Sequence, residues 1–150
     1  MFTGHQQDRA RRIFADFPLT LSLVPLMLRA SRTSSGEPVS RTIDVLLRSS
    51  QWISVPNDPE RCRRAVFRAA RIAHRLGGLD SCLTRSMTLA ALLSRTQPIV
   101  LNLGFAPPLV TGGAPRGHAW VTLSGKNVSD PEHDSDVANH TAAYSINLPA

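Results

Sequence analysis

Apolar residues recur along this chain with two different periods, and the change from one to the other falls near Thr96. Between residues 59 and 76, Cys62, Val66, Ala69, Ile72, Ala73 and Leu76 repeat at helical spacing. Arg64, Arg68, Arg71 and Arg75 line another face, so the segment reads as an amphipathic helix with an arginine stripe. Asp58 can cap it, with Pro59 at its first position and Glu60 in the positive first turn; Gly77-Gly78 ends it, because glycine enters a left-handed cap without a Cβ clash. A second helix starts at once, with Asp80 or Ser81 as N-cap and Cys82 in the first turn. Its later positions, Leu83, Met87, Leu89, Ala90, Ala91, Leu92 and Leu93, are apolar nearly all round, which predicts a helix buried in mid-domain. Beyond Thr96 the period becomes two. Ile99, Leu101, Leu103 and Phe105 alternate with smaller or polar residues as one strand, and Ala119, Val121 and Leu123 alternate with His118, Trp120 and Thr122 as a second over residues 117–123. Residues 106–108 and 111–115 read as a loop, Ser124-Gly125-Lys126 as a hairpin loop, and residues 127–130 as the returning strand. Upstream, residues 42–49 suit a short helix and residues 31–36 a flexible loop. Helices first and antiparallel strands afterwards predict an α+β domain with the buried helix packed on a small sheet.

At 150 residues and 42% apolar content the chain has the size and core of a single domain, with residues 1–57 as a helical N-terminal part and 58–150 as the main core. Its formal charge of +6 is uneven, since residues 1–76 carry +7 and residues 77–150 carry −1. A basic half can bind nucleic acid, an anionic membrane or an acidic peptide, but a solvated helical face explains it first. The apolar run at residues 17–28 contains Pro18, Thr20, Ser22 and Pro25 and is shorter than the roughly 20 apolar residues of a membrane span. Its basic prelude, Arg9, Arg11 and Arg12, is interrupted by Asp8 and Asp16, and no signal-peptidase site follows, so the run reads as part of the fold. It is either core or a patch that docks a partner or a membrane surface. The two glycosylation sequons, at Asn127 and Asn139, carry no weight without a secretory signal. Two cysteines without a CxxC spacing exclude a disulfide scaffold and a structural zinc module, and a reducing cytoplasm fits them best.

Three residues form a chemical set: Cys82 in the first turn of the buried helix, His118 near the start of a strand, and Asp130 on the returning strand. A thiol with a pKa of about 8.5 is mostly protonated at neutral pH, and a helix N-terminus with a neighbouring imidazolium favours the thiolate. His118 would hold the proton and return it to a leaving amine, while a carboxylate on its other nitrogen fixes its tautomer. The backbone N–H of Cys82 is a candidate oxyanion donor, and Trp120 is a candidate substrate-binding neighbour. Singly, each has an ordinary structural role: a buried thiol such as Cys62 is inert core, a strand histidine is a half-buried sheet residue, and an aspartate before Pro131 is a turn former. Strand parity constrains the set. A two-residue loop at Gly125-Lys126 puts Asp130 on the face opposite His118, whereas the three-residue loop puts it opposite Trp120, about 7 Å diagonal from His118.

Residues 82–93 (Cys-Leu-Thr-Arg-Ser-Met-Thr-Leu-Ala-Ala-Leu-Leu), Gly117-His118-Ala119-Trp120-Val121 and the stretch ending at Asp130 together resemble the transglutaminase-like proteases of lasso-peptide biosynthesis. The likeness extends over residues 58–146. It implies a transglutaminase-like or papain-like core in which Cys82, His118 and Asp130 are the triad and no cofactor takes part. It also implies removal of the leader from a ribosomally made precursor peptide, freeing the core peptide's amino terminus for a separate ATP-dependent lasso cyclase. Members that read the leader themselves carry a winged-helix-like module, and the helical residues before Cys82 do not resemble one. A separate leader-recognition protein is therefore implied. The glutamine that papain-like sites place shortly before the nucleophile is absent from residues 76–81.

Two other functions compete. The same fold and triad could pass the acyl group to an amine instead of water. Alternatively the chain is a non-catalytic basic module binding nucleic acid or an acidic partner through its arginine stripe; only Phe67 interleaves with those arginines, so stacking platforms are lacking. A zinc site from Cys82, His118, Asp130 and His133 lacks short ligand spacing.

Overall fold

The computed structural model describes residues 4–106, 116–129 and 141–150 and, of residues 4–13, 106, 116 and 141, the backbone alone. Asp130, His133 and the loop residues 107–115 lie outside the described residues. Four helices precede four strands: α1 (Gly4–Ser34), α2 (Val39–Ser50), α3 (Pro59–Arg75), α4 (Cys82–Leu93), β1 (Ile99–Ala106), β2 (Arg116–Leu123), β3 (Lys126–Asn127) and β4 (Thr141–Leu148). The strands form one antiparallel sheet in the order β3-β2-β1-β4, so the fold is α+β.

The helix boundaries have local causes. Asp58 caps α3 by accepting from the N–H groups of Glu60 and Arg61, with Pro59 at the first position. Gly77 leaves the helix at φ +86, a conformation that a Cβ would strain. Of residues 31–36, which their composition suggests as a loop, only Ser35 and Gly36 form a turn. The helix continues to Ser34 because its hydroxyls fold back on its own carbonyls: Thr33 donates to Arg29 at 2.9 Å, and Ser34 and Ser35 donate to Ser31 at 3.2 and 3.0 Å. Pro18 and Pro25 are tolerated within α1, both on its exposed side.

The apolar run of α1 divides between two faces. Leu19, Leu23, Val24, Leu26, Met27 and Ala30 enter the core, while Phe14, Phe17 and Leu21 stay exposed. No helix among the described residues is long and apolar enough to cross a membrane.

One polar cluster joins α1 to α3. The carboxylate of Asp16, only 2% exposed, accepts from Arg61 Nε at 2.9 Å, Arg64 Nε at 3.3 Å and Arg68 Nη1 at 3.2 Å, and Arg61 Nη2 also donates to the Ala15 carbonyl. Half of the arginine stripe is thus bound inside a helix pair instead of facing solvent, and only Arg71 and Arg75 fit the solvated-face reading. The reason is charge compensation: a buried carboxylate is expensive unless cations surround it. Another arginine, Arg95, closes α2 by donating to the carbonyls of Ser50, Gln51 and Ile53.

Helix α4 lies in the middle, in contact with all three other helices and with β1 and β2. From Thr84 to Leu93 each of its residues except Arg85 is buried, in accord with its all-round apolar sequence. The inward sheet face presents Ile99, Leu101, Val121 and Leu148. Strand β4 was not legible as a strand beforehand, although its Ala142, Tyr144, Ile146 and Leu148 alternate. On β1 the polar Asn102 is partnered from both sides, donating to Thr122 Oγ1 at 3.2 Å and accepting from Ser145 Oγ at 2.8 Å.

The β2–β3 hairpin takes neither of the loops considered from sequence. Its register pairs Leu123 with Lys126 and Thr122 with Asn127, so the loop is the two residues Ser124-Gly125, at φ 50 and φ 78. Positive φ at both positions matches the twist of tight hairpins. The loop is even, but the ladder stops at Asn127, so its parity does not extend to Asp130.

Removing the shared acceptor leaves three guanidiniums facing one another. Asp16→Ala is expected to lower stability by about 2–4 kcal/mol in a urea titration, more than a surface ion pair would cost.

Candidate active site

Cys82 owes its position to a cap. Ser81 takes the N-cap of α4, its hydroxyl accepting from the Thr84 N–H at 3.1 Å, while Thr84 Oγ1 accepts from the Ser81 N–H at 3.1 Å. This reciprocal box makes Ser81 the cap and Cys82 the first residue of the helix. The segment leading to it is pinned twice. The Leu79 N–H donates to Ser31 Oγ at the end of α1, and Gly78 passes so close to Leu28 and the Ala73 carbonyl that a Cβ would meet each at 3.0 Å.

His118 is the third residue of β2 and is half-buried. The helix and this strand are tied by a buried hydroxyl: Ser86, one turn beyond Cys82, donates to the Ala119 carbonyl at 2.8 Å. A second serine ties the segment after β3 to the same strand. Ser129 Oγ accepts from the Val121 N–H at 3.0 Å and donates to Asn127 Oδ1 at 3.0 Å. Both serines are close to fully buried, at 2% and 5% exposure. The sequence pattern singles out neither as a site residue, because Ser86 is one of four polar side chains on α4, with Thr84, Arg85 and Thr88.

These ties bring Cys82 and His118 to one narrow cleft, walled also by Phe67, Arg85, Ser86, Leu89, Ala119 and Ser129. Its free volume is about 10 Å³, roughly the space of one water. Trp120 is 5% exposed and reaches the cleft through His118, whose ring it stacks at 6.0 Å between centroids and 18° between planes. It is thus placed to hold the imidazole plane rather than to offer a surface of its own. Asp130, the expected third member, follows Ser129 directly and lies outside the described residues. Of the four residues considered for zinc, only Cys82 and His118 are described, and no group of three metal-binding side chains occurs among the described residues. A much larger groove of about 710 Å³, between α1 and the end of α2, includes Arg29, Trp52 and Ile53 and none of the expected site residues.

The two thiols differ in kind. Cys62 is fully buried on α3, with Sγ 3.6 Å from the Pro56 carbonyl. Burial first, and then the Asp58 carboxylate, push its thiol up to about 11. Cys82 is partly exposed at the cleft. On α3, a hydrogen bond from Arg63 holds the Glu60 carboxyl below its usual range.

A cysteine opening a buried helix, beside a histidine on the strand against which that helix packs, is a layout in which thiol and imidazole can work as a pair. The chain belongs to the transglutaminase-like superfamily, which matches it over residues 19–142. That superfamily includes cysteine peptidases and acyl transferases. No curated protein and no solved structure matches the chain.

The buried thiol gives a pH prediction. Because the folded state holds the Cys62 proton more tightly than the unfolded chain, its contribution is complete below about pH 9 and is lost as pH rises towards 11. Stability of the wild type should therefore fall by about 2 kcal/mol over that range relative to Cys62→Ala, by urea denaturation at each pH. For Ser86→Ala the expected loss is about 1–2 kcal/mol, together with slower alkylation of Cys82 as helix and strand lose their tie.

Proposed function

We propose that the protein is a cysteine peptidase that removes the leader from a ribosomally synthesised lasso-peptide precursor, with Cys82, His118 and Asp130 as its triad. The observation that carries this reading is the meeting of Cys82 and His118 at one cleft, the first on a capped helix terminus and the second on the adjoining strand. Support comes also from the superfamily and from the motifs around these two residues.

The reaction follows from the chemistry of the pair. The Cys82 thiol gives its proton to His118, and the thiolate attacks the carbonyl carbon of the leader–core amide, forming a C–S bond and an oxyanion. The N–H of Cys82, unpaired within its helix because it lies in the first turn, is suited to receive that oxyanion. Collapse breaks the C–N bond, and His118 delivers its proton to the departing amine, which becomes the amino terminus of the core peptide. Water then attacks the thioester while His118 takes a proton from it, and the leader leaves as a carboxylate with Cys82 restored. Asp130 would accept from the imidazole and hold its tautomer. The reaction needs no cofactor and a reduced thiol, which suits the cytoplasm.

In this reading leader recognition belongs to a separate protein, and the freed core peptide passes to an ATP-dependent cyclase. The test is a reconstituted cleavage assay with a candidate precursor and its leader-binding protein, read by mass spectrometry. Cys82→Ala and His118→Ala should lower the cleavage rate by at least about 10³-fold. Cleavage retained in Cys82→Ala would refute the proposal, and a product carrying an added amine in place of water would reassign the chain to acyl transfer.

A further inference from the structure

The cleft wall formed by α4 contains a cation, Arg85, to which the proposed triad gives no role. Arg85 lies three positions after Cys82, on the same side of α4, and lines the cleft with it. Its guanidinium is packed on the face of Phe67, 4.6 Å from the ring centroid, and Phe67 lines the cleft as well. Arg63 lies 5.4 Å from the same ring, with its Nε and Nη2 both engaged by Glu60 at 2.8 Å. Arg85 is engaged differently. Only its Nε is used, at 3.4 Å from both the Ser81 carbonyl and Asp80 Oδ1, and neither Nη atom has a hydrogen bond or ion pair among the described residues.

We infer that Arg85 is a specificity-determining residue that receives a carboxylate of the substrate beside the carbonyl attacked by Cys82. Three physical features lead there. The ring of Phe67 fixes the guanidinium plane, and Asp80 with the Ser81 carbonyl fixes its Nε side, so little rotational freedom remains to be lost on binding. The outer Nη pair then forms a two-pronged donor edge whose shape fits a carboxylate and does not fit a single neutral carbonyl as well. The position is also a wall of the cleft that holds the nucleophile, so a group bound there is close to the reacting carbon. The inference rests on the peptidase reading in one respect. If the chain cuts within a peptide, both sides of the scissile bond continue as chain, and the carboxylate must come from an aspartate or glutamate side chain flanking that bond.

The test uses reagents that need no knowledge of the substrate. Iodoacetate and iodoacetamide alkylate the same sulfur and differ mainly in carrying a carboxylate or a neutral amide. Their relative rates at Cys82, mapped by peptide mass spectrometry near neutral pH and normalised to the same ratio for glutathione, report a cation positioned beside the thiol. In the wild type the normalised ratio should favour iodoacetate by about tenfold, the scale of one charge-assisted contact. Arg85→Gln should bring it to within about twofold of unity, and Arg85→Lys, which keeps the charge without the fork, should fall between. His118→Ala supplies the control for the imidazolium, since a preference that survives there and vanishes in Arg85→Gln belongs to Arg85. Protection of the buried Cys62 in the same digest shows that each variant is folded. An equal preference in wild type and Arg85→Gln, with Cys62 protected, would overturn the inference. A preference that depends on Arg85 in a protein without cleavage activity would keep the carboxylate subsite and defeat the peptidase reading, so the two failures are separable.

Discussion

The burial of α4 on every side is the constraint on which the other elements depend. A twelve-residue helix with almost no polar face cannot lie on a surface, so three helices and a sheet must enclose it. Enclosure removes the freedom of the helix to slide or rotate, because a packed interior resists displacement. The helix is therefore a rigid post, and the residue at its exposed first position inherits that rigidity. Cys82 is held in place by the core beneath it as much as by its own cap.

Some of the polar groups of this domain bond back onto their own helix turn, as Thr20 and Thr88 do, and others join two elements. Asp16 binds α1 to α3, Ser31 binds the end of α1 to the segment before α4, and at the surface Arg95 binds the segment following α4 to the end of α2. Ser86 and Ser129 do the same for the cleft, joining α4 and the segment beyond β3 to the backbone of β2. A hydroxyl between two elements has a direction and a length, which apolar contact lacks. Apolar burial thus supplies the cohesion, and a small set of hydrogen bonds sets the register. The cleft lies where two of those bonds meet, so the placement of thiol and imidazole is set by groups outside the proposed triad.

The arginines show how one residue type serves three purposes in one chain. Arg61, Arg64 and Arg68 neutralise a buried carboxylate, Arg95 satisfies the carbonyls at a helix end, and Arg85 is flattened on an aromatic ring at the cleft. Guanidinium suits all three because it is planar, always charged and rich in donors. Counting charge along the sequence cannot separate these uses. The excess of base in the first half is in part an internal counter-charge whose partner, Asp16, is 45 residues or more away in the chain.

What could be read from the residues alone was local and periodic. The caps at Asp58 and Ser81, the glycine stop at residue 77, the amphipathic α3, the apolar later turns of α4 and the first two strands follow from side-chain spacing and from backbone rules that act within a few residues. The α+β order, the core role of Cys62 and the candidacy of Cys82 and His118 were legible for the same reason. The unread features are of two kinds, a few local choices between competing backbone paths and a larger set that depends on residues far apart in sequence. The hydroxyl-rich end of α1 remained helical once its side chains had bonded to their own turn, and the hairpin closed on Ser124-Gly125 once Lys126 paired with Leu123. The partner of the arginine stripe, the serine ties across the cleft and the seat of Arg85 on Phe67 appear only when separate elements touch. Periodicity reports which face of an element avoids water; which residue meets it there is decided by packing, because only the folded chain brings distant side chains within reach of a hydrogen bond.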